Sequence, residues 1–87
     1  MNTDTLRSVY EQTYNLIDDI YFKYFQQGGT TRDLTKEQTY TLQTTLDHIK
    51  YNLILLKKYK GDEVRRDLIR IFNERYNENG LEMKESE

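Results

Sequence analysis

Three segments of the chain place apolar residues at the spacing of amphipathic helices. The middle segment is the most regular, because its apolar residues step by 4, 3, 4 and 3 as in a heptad repeat. These residues are Leu42, Leu46, Ile49, Leu53 and Leu56. The pattern persists for only about two heptads, which suits antiparallel helix packing as well as it suits a coiled coil.

The first segment is apolar over a wider arc than a core-facing helix needs. Between Leu6 and Phe25, apolar and tyrosine residues cover roughly half of a helix circumference, whereas a core-facing stripe needs little more than 100°. The stripe expected to face the heptad comprises Leu6, Val9, Leu16, Ile17 and Ile20. A flank of Tyr10, Tyr14, Tyr21 and Phe25 is left over, either as the rim of the core or as a surface for a partner.

Helix stop and start signals divide the chain. Thr3 or Asp4 can cap a first helix over residues 4–27, which ends before Gly28 and Gly29. Thr35 and Gln38 fit a capping box at the start of a second helix over residues 35–60. Gly61 ends it, and Asp62 can cap a third helix over residues 62–76 with Val64, Leu68, Ile71 and Phe72 on one side.

The fold expected from these signals is all-α, a small helical bundle in one domain over residues 1–76. Two long helices joined by a short glycine turn form an antiparallel hairpin, and the shorter third helix packs on it. Residues 77–87 are polar and acidic, so we expect a flexible, frayed tail. Threonine is a weak helix former, so the Thr-rich stretch within residues 38–45 favours a looser helix.

The amino-acid composition excludes several kinds of catalytic and metal-binding site. The chain has 87 residues with no cysteine, proline or tryptophan but eight tyrosines, so it has no disulfide, thiolate zinc ligand or cysteine nucleophile. A single histidine, His48, lacks a second imidazole or thiol to complete a metal set. The carboxylates of Asp18, Asp19 and Glu11 are not placed to face each other, as general acid–base catalysis would require. The sequence predicts a protein that is not an enzyme and has no cofactor, metal or small-molecule substrate.

Charge is distributed unevenly, although the net charge is only −2. Basic residues gather around the turn between the second and third helices: Lys57, Lys58, Arg65, Arg66 and Arg70. They suggest a nucleic-acid-associated regulator as an alternative function, but the interleaved Asp62, Glu63 and Asp67 favour a solvated ion-pair face. No signal peptide or membrane-length apolar run is visible, and we expect a cytoplasmic protein, in the host cell if it is viral.

The leading functional hypothesis is a small regulator that binds another protein, itself, or both. In size and style the chain resembles the small helical hairpins common among phage and mobile-element gene products and bacteriocin immunity proteins. That resemblance implies an adaptor or inhibitor acting stoichiometrically, with a homodimer expected. The residues expected to contact a partner are Tyr10, Tyr14, Tyr21 and Phe25 on the first helix, and Tyr51, Ile54 and Leu55 on the back of the second.

Overall fold

Three helices account for most of the structure, a computed structural model that describes residues 3–84. Helix α1 spans Thr3–Ile20 and continues as a π-helical segment over Tyr21–Phe25. A 3₁₀ turn at Thr31–Asp33 precedes α2, Lys36–Lys58. Helix α3 spans Asp62–Tyr76 and runs into a 3₁₀ turn at Asn77–Asn79. The all-α bundle expected from the sequence is confirmed, and its longest dimension is 41 Å.

The helix boundaries follow the local signals only in part. Helix α1 already includes Thr3 and Asp4, which were expected to cap it, and the left-handed residue after α2 is Lys60 (φ 63°) instead of the expected Gly61.

Thr35 and Gln38 form the expected capping box: the Gln38 amide donates to the Thr35 hydroxyl at 3.0 Å, and the Thr35 amide donates to Gln38 Oε1 at 2.9 Å. Asp62 does not cap α3, because Gly61 occupies the cap position without a side-chain bond. The Asp62 carboxylate instead accepts a bond from Arg65 Nε at 2.9 Å.

The Thr-rich stretch of α2 is regular helix rather than the looser segment expected. Thr44 and Thr45 turn their hydroxyls back to the carbonyls of Tyr40 and Thr41, both at 3.2 Å. These bonds satisfy the hydroxyls without breaking the backbone ladder, as threonine often does inside helices.

The core lies where the helices meet. Its buried apolar residues come from α1 and the π-helical segment, from the α2 heptad, from α3 and from the segment that follows α3. They are Ile17, Ile20, Phe25, Leu42, Ile49, Leu53, Leu56, Leu68, Ile69, Phe72, Tyr76 and Met83. Leu46 and the remaining expected α1 residues (Leu6, Val9 and Leu16) are half-buried against it.

Residues 77–84 depart from the expected frayed tail. Gly80 adopts the left-handed conformation with φ 93° and turns the chain back towards α3. Asn73 then holds Met83 by two bonds, accepting from the Met83 amide at 2.7 Å and donating to its carbonyl at 2.9 Å. Met83 is buried in the core. Its burial and these paired bonds outweigh the polar composition of the segment; residues 85–87 lie outside the described part of the chain.

Candidate protein-binding surfaces

The tyrosine flank of α1 divides into buried and exposed parts. Phe25 is only 3% exposed, and its ring lies 6.0 Å from that of Tyr76. It is therefore a core residue, and the expectation that it contacts a partner is corrected. Tyr10 and Tyr14 are half-buried with their rings 6.2 Å apart, while Tyr21 is 41% exposed.

Tyr14 is engaged by α3 through Arg75. The Arg75 guanidinium lies 5.5 Å from the centre of the Tyr14 ring, donates to its hydroxyl at 3.3 Å and forms an ion pair with Asp18. Although partial burial opposes it, bonding to Asp18 and Tyr14 raises the pKa of Arg75. Tyr14 thus helps to join α1 to α3, so little of this part of the flank is left for a partner.

The Tyr76 side chain reaches the backbone of α1 at the point where its geometry changes. Its fully buried hydroxyl donates to the Ile17 carbonyl. In an uninterrupted α-helix the Ile17 carbonyl would receive the Tyr21 amide directly. A side chain inserted in the ladder is a recognised cause of such departures, and the π-helical segment begins at Tyr21.

Burial raises the pKa of the Tyr76 hydroxyl above its usual value, and Asp18 acts in the same direction. Arg75 and the Tyr21 amide oppose the rise but do not cancel it. The hydroxyl therefore remains a hydrogen-bond donor to Ile17 well into the alkaline range.

The π-helical turn changes which aromatic residues face inward. Buried positions along α1 are Thr13, Ile17 and Ile20, and the next one is Phe25 instead of the α-helical successor Tyr24. Tyr24 turns towards α2, where its hydroxyl bonds to that of Thr41 at 2.8 Å. The π-helical turn contains about one residue more than an α-helical turn, so the residues that follow it face the core in a different order.

The same turn presents an exposed aromatic pair, Tyr21 and Phe22. The two rings lie 5.3 Å apart in an edge-to-face arrangement, and Phe22 is 62% exposed. Phe22 did not figure among the expected binding residues, because it lies outside the apolar arc of the first helix from which they were taken. A π-helical segment often coincides with a functional site.

A second exposed surface lies on the back of α2. Tyr40, Tyr51 and Ile54, which form the α2 stripe, are 75%, 59% and 61% exposed. They fall within about 60° of the helix circumference, nearly opposite the buried heptad. Leu55 at the edge of the stripe is half-buried. Tyr40 was missed from the sequence, although its spacing to Tyr51 and Ile54 could have revealed it.

The basic residues of α3 are engaged by carboxylates. Arg65 is only 4% exposed, so it is withdrawn from any nucleic-acid surface. Arg66 pairs with Asp62 at 3.1 Å, and Arg70 bridges Asp67 at 2.5 Å and Glu74 at 3.1 Å. Arg65, Arg66 and Lys57 hold the pKa of the Asp62 carboxyl below its usual value. On α2, Lys57 and Lys58 are exposed.

Other features of the described residues offer no built site. His48 is exposed on α2. Within residues 3–84, no group of three or more histidine, cysteine, aspartate or glutamate side chains is placed to hold a metal ion. An open depression of about 370 Å³ beside the end of α3 is lined by Asn73, Glu74, Asn77, Glu78 and Glu82.

None of the helices over residues 3–84 combines the length and apolar character needed to cross a membrane. Comparisons with protein families, curated proteins and solved structures find no match to this chain. A functional proposal therefore depends on the exposed surfaces of the bundle.

Proposed function

We propose that the protein is a small non-catalytic regulator, an adaptor or inhibitor in the style of phage and mobile-element proteins, which binds another protein. The observation that carries the proposal is the exposure of large apolar side chains on a bundle whose core is already filled. Among the residues that the structure describes, five such side chains are exposed: Tyr21, Phe22, Tyr40, Tyr51 and Ile54. These side chains contribute nothing to the packing of the core, so they are available for contacts with another molecule.

The chemistry of these side chains suits a binding surface. Tyrosine combines a rigid apolar ring with a hydroxyl that tolerates water, which is why it is enriched at interfaces. The α2 stripe lies on a regular 23-residue helix, so its side chains are pre-positioned and lose little backbone freedom on binding. The action would be stoichiometric, by covering or bridging the partner.

The alternative function, a nucleic-acid-associated regulator, has weaker support. It would depend on Lys57 and Lys58, because Arg65 is buried and Arg66 and Arg70 form ion pairs with carboxylates on α3. Phosphate contacts require accessible cations, and each one makes binding weaker as salt rises. A salt-sensitive shift of duplex DNA that is lost in Lys57→Ser/Lys58→Ser would favour this alternative.

The proposal is tested by affinity capture from the cells that produce the protein, with three matched double variants. Tyr51→Ser/Ile54→Ser alters the α2 stripe, Tyr21→Ser/Phe22→Ser alters the aromatic pair, and Gln12→Ser/Asn15→Ser is the control on exposed polar positions of α1. Circular dichroism verifies that each variant is folded.

We expect wild type and control to capture the same protein in a fixed ratio, and at least one apolar-surface variant to lose it. Capture that is equal for all four chains, or no capture by the wild type, would contradict the proposal.

A further inference from the structure

Two residues of the α2 stripe, Tyr40 and Ile54, are arranged symmetrically about Asp47, while the third, Tyr51, is the counterpart of Gln43. Tyr40 precedes Asp47 by seven residues and Ile54 follows it by seven. Seven residues are close to two helical turns, so the three side chains lie on one line along the helix. The midpoint of this line is polar, with Asp47 accepting a hydrogen bond from exposed Gln43 at 3.0 Å, whereas its two ends are apolar. A surface with apolar ends and a polar centre can match its own image when turned end to end.

We infer that a second copy of this chain covers the α2 stripe, with the two α2 helices antiparallel and the two-fold axis near Asp47. In this arrangement Tyr40 of each copy packs against Tyr51 and Ile54 of the other. An interface of this kind is isologous, since the same patch serves both copies. The inference rests on the proposed function only in taking the exposed apolar face of α2 as a binding surface.

The charges on α2 favour the antiparallel orientation over the parallel one. Lys50, Lys57 and Lys58 are all exposed in the C-terminal half of the helix. A parallel pair would place these lysines beside their counterparts, and like charges in contact oppose association. An antiparallel pair separates the two lysine-rich ends.

Antiparallel packing also gives the lysines suitable neighbours. Lys50 lies one turn after Asp47 and about 60° around the helix from it, so each Asp47 comes within reach of Lys50 of the other copy. Lys58 comes near Tyr40 of the other copy, where an ammonium group over a tyrosine ring is favourable. Two like-charge contacts remain: Asp47 meets its counterpart at the axis, and Lys36 adds one positive charge at the end that receives Lys58.

The size of the α2 stripe sets the affinity expected for the dimer. Tyr40 and Ile54 are separated by about 21 Å along the helix axis. One helix face of this length lies at or below the small end of specific interfaces, which bury about 800 Å² per partner. We therefore expect a reversible dimer with a dissociation constant in the micromolar range or weaker.

The test is sedimentation velocity from about 5 μM to about 1 mM protein, a range that brackets micromolar dissociation constants. Asp47→Lys places lysines at 47 and 50 on both sides of the axis, and Lys50→Asp places aspartates there. Each variant alone should dimerise roughly tenfold more weakly than the wild type. An equimolar mixture of the two should restore association, because every contact across the axis then joins opposite charges.

Glu63→Lys and Lys84→Asp are the controls, since they make the same changes in net charge at exposed positions outside α2. Both should dimerise as the wild type does. A wild type that remains monomeric up to about 1 mM would overturn the dimer, while loss of a captured protein by Tyr51→Ser/Ile54→Ser would still support the proposed function.

Two other results would overturn the arrangement. A dimer that tolerates Asp47→Lys as well as it tolerates Glu63→Lys does not use this surface. A mixture of Asp47→Lys and Lys50→Asp that stays as weak as either variant alone excludes the antiparallel pairing about Asp47.

Discussion

The hydroxyl of Tyr76, at the end of α3, donates to the backbone carbonyl of Ile17 in α1, across 59 residues of sequence. Both residues are fully buried. A single side chain thereby completes the core and satisfies a backbone group of the neighbouring helix, at the turn where α1 gives way to π-helix. The geometry of one helix depends on a residue from another.

Tyr76→Phe should therefore destabilise the protein while retaining its ring packing. The Ile17 carbonyl loses its donor in a buried environment, which costs about 1–2 kcal/mol of the free energy of unfolding. Urea unfolding followed by circular dichroism measures the difference. Tyr51→Phe is the control, since the Tyr51 side chain is 59% exposed, and equal stability of the two variants would show that the Tyr76 hydroxyl contributes nothing.

Alkaline pH should destabilise the protein through the same hydroxyl. The pKa of Tyr76 is raised in the folded state, so above about pH 10 the unfolded chain loses this proton more readily than the folded chain. The folded state then binds more protons, and the free energy of unfolding falls as pH rises through the folded pKa. Below pH 10 this contribution is fully present.

The check is the free energy of unfolding of wild type and Tyr76→Phe, measured from pH 8 to about pH 11. The wild type should lose more stability over this interval than the variant, because only the wild type carries the shifted group. Parallel curves for the two proteins would contradict the assignment.

Alanine substitutions of two nearby phenylalanines, Phe22 and Phe25, should have very different effects on stability. Phe25→Ala removes a buried ring from the core and should cost about 3–4 kcal/mol. Phe22→Ala changes a side chain that is 62% exposed and should alter the free energy of unfolding by less than about 0.5 kcal/mol. Chemical denaturation of both variants tests the helix phase directly, because an uninterrupted α-helix would not bury Phe25 in place of Tyr24.

Most of the bundle could be predicted from the sequence because its signals are local. The heptad of α2, the Thr35 capping box and the Gly28–Gly29 stop after the first helix each depend on residues within a few positions of one another. The π-helical turn was missed because Tyr76, its contact, lies far along the chain. For the same reason Phe25 was assigned to the surface.

The burial of Arg65 could not be predicted from charge patterning, which places basic residues on a solvated face. The packing of residues 77–84 was missed because their composition is polar, and a single methionine with two backbone bonds carries the attachment. The stripe of α2 was partly visible, since Tyr51 and Ile54 were expected on the back of the helix and Tyr40 repeats their spacing.

The segment after α3 offers a separate test. Met83→Ala should destabilise the protein by about 2–3 kcal/mol, because Met83 is buried against the core. Glu82→Ala, at the exposed neighbouring position, should change stability by less than about 0.5 kcal/mol. Thermal or urea unfolding distinguishes the two, and equal effects would mean that residues 77–84 detach readily from α3.

The π-helical turn also makes α1 tolerant of losing a residue. Deleting Lys23 leaves Ile20 and the present Phe25 four positions apart, which is the normal α-helical step between residues on one face. Deleting Asn15 rotates one half of the α1 core by about 100° relative to the other. Cooperative thermal unfolding should survive the first deletion and be lost in the second, because the fold already carries one residue more than an unbroken helix requires.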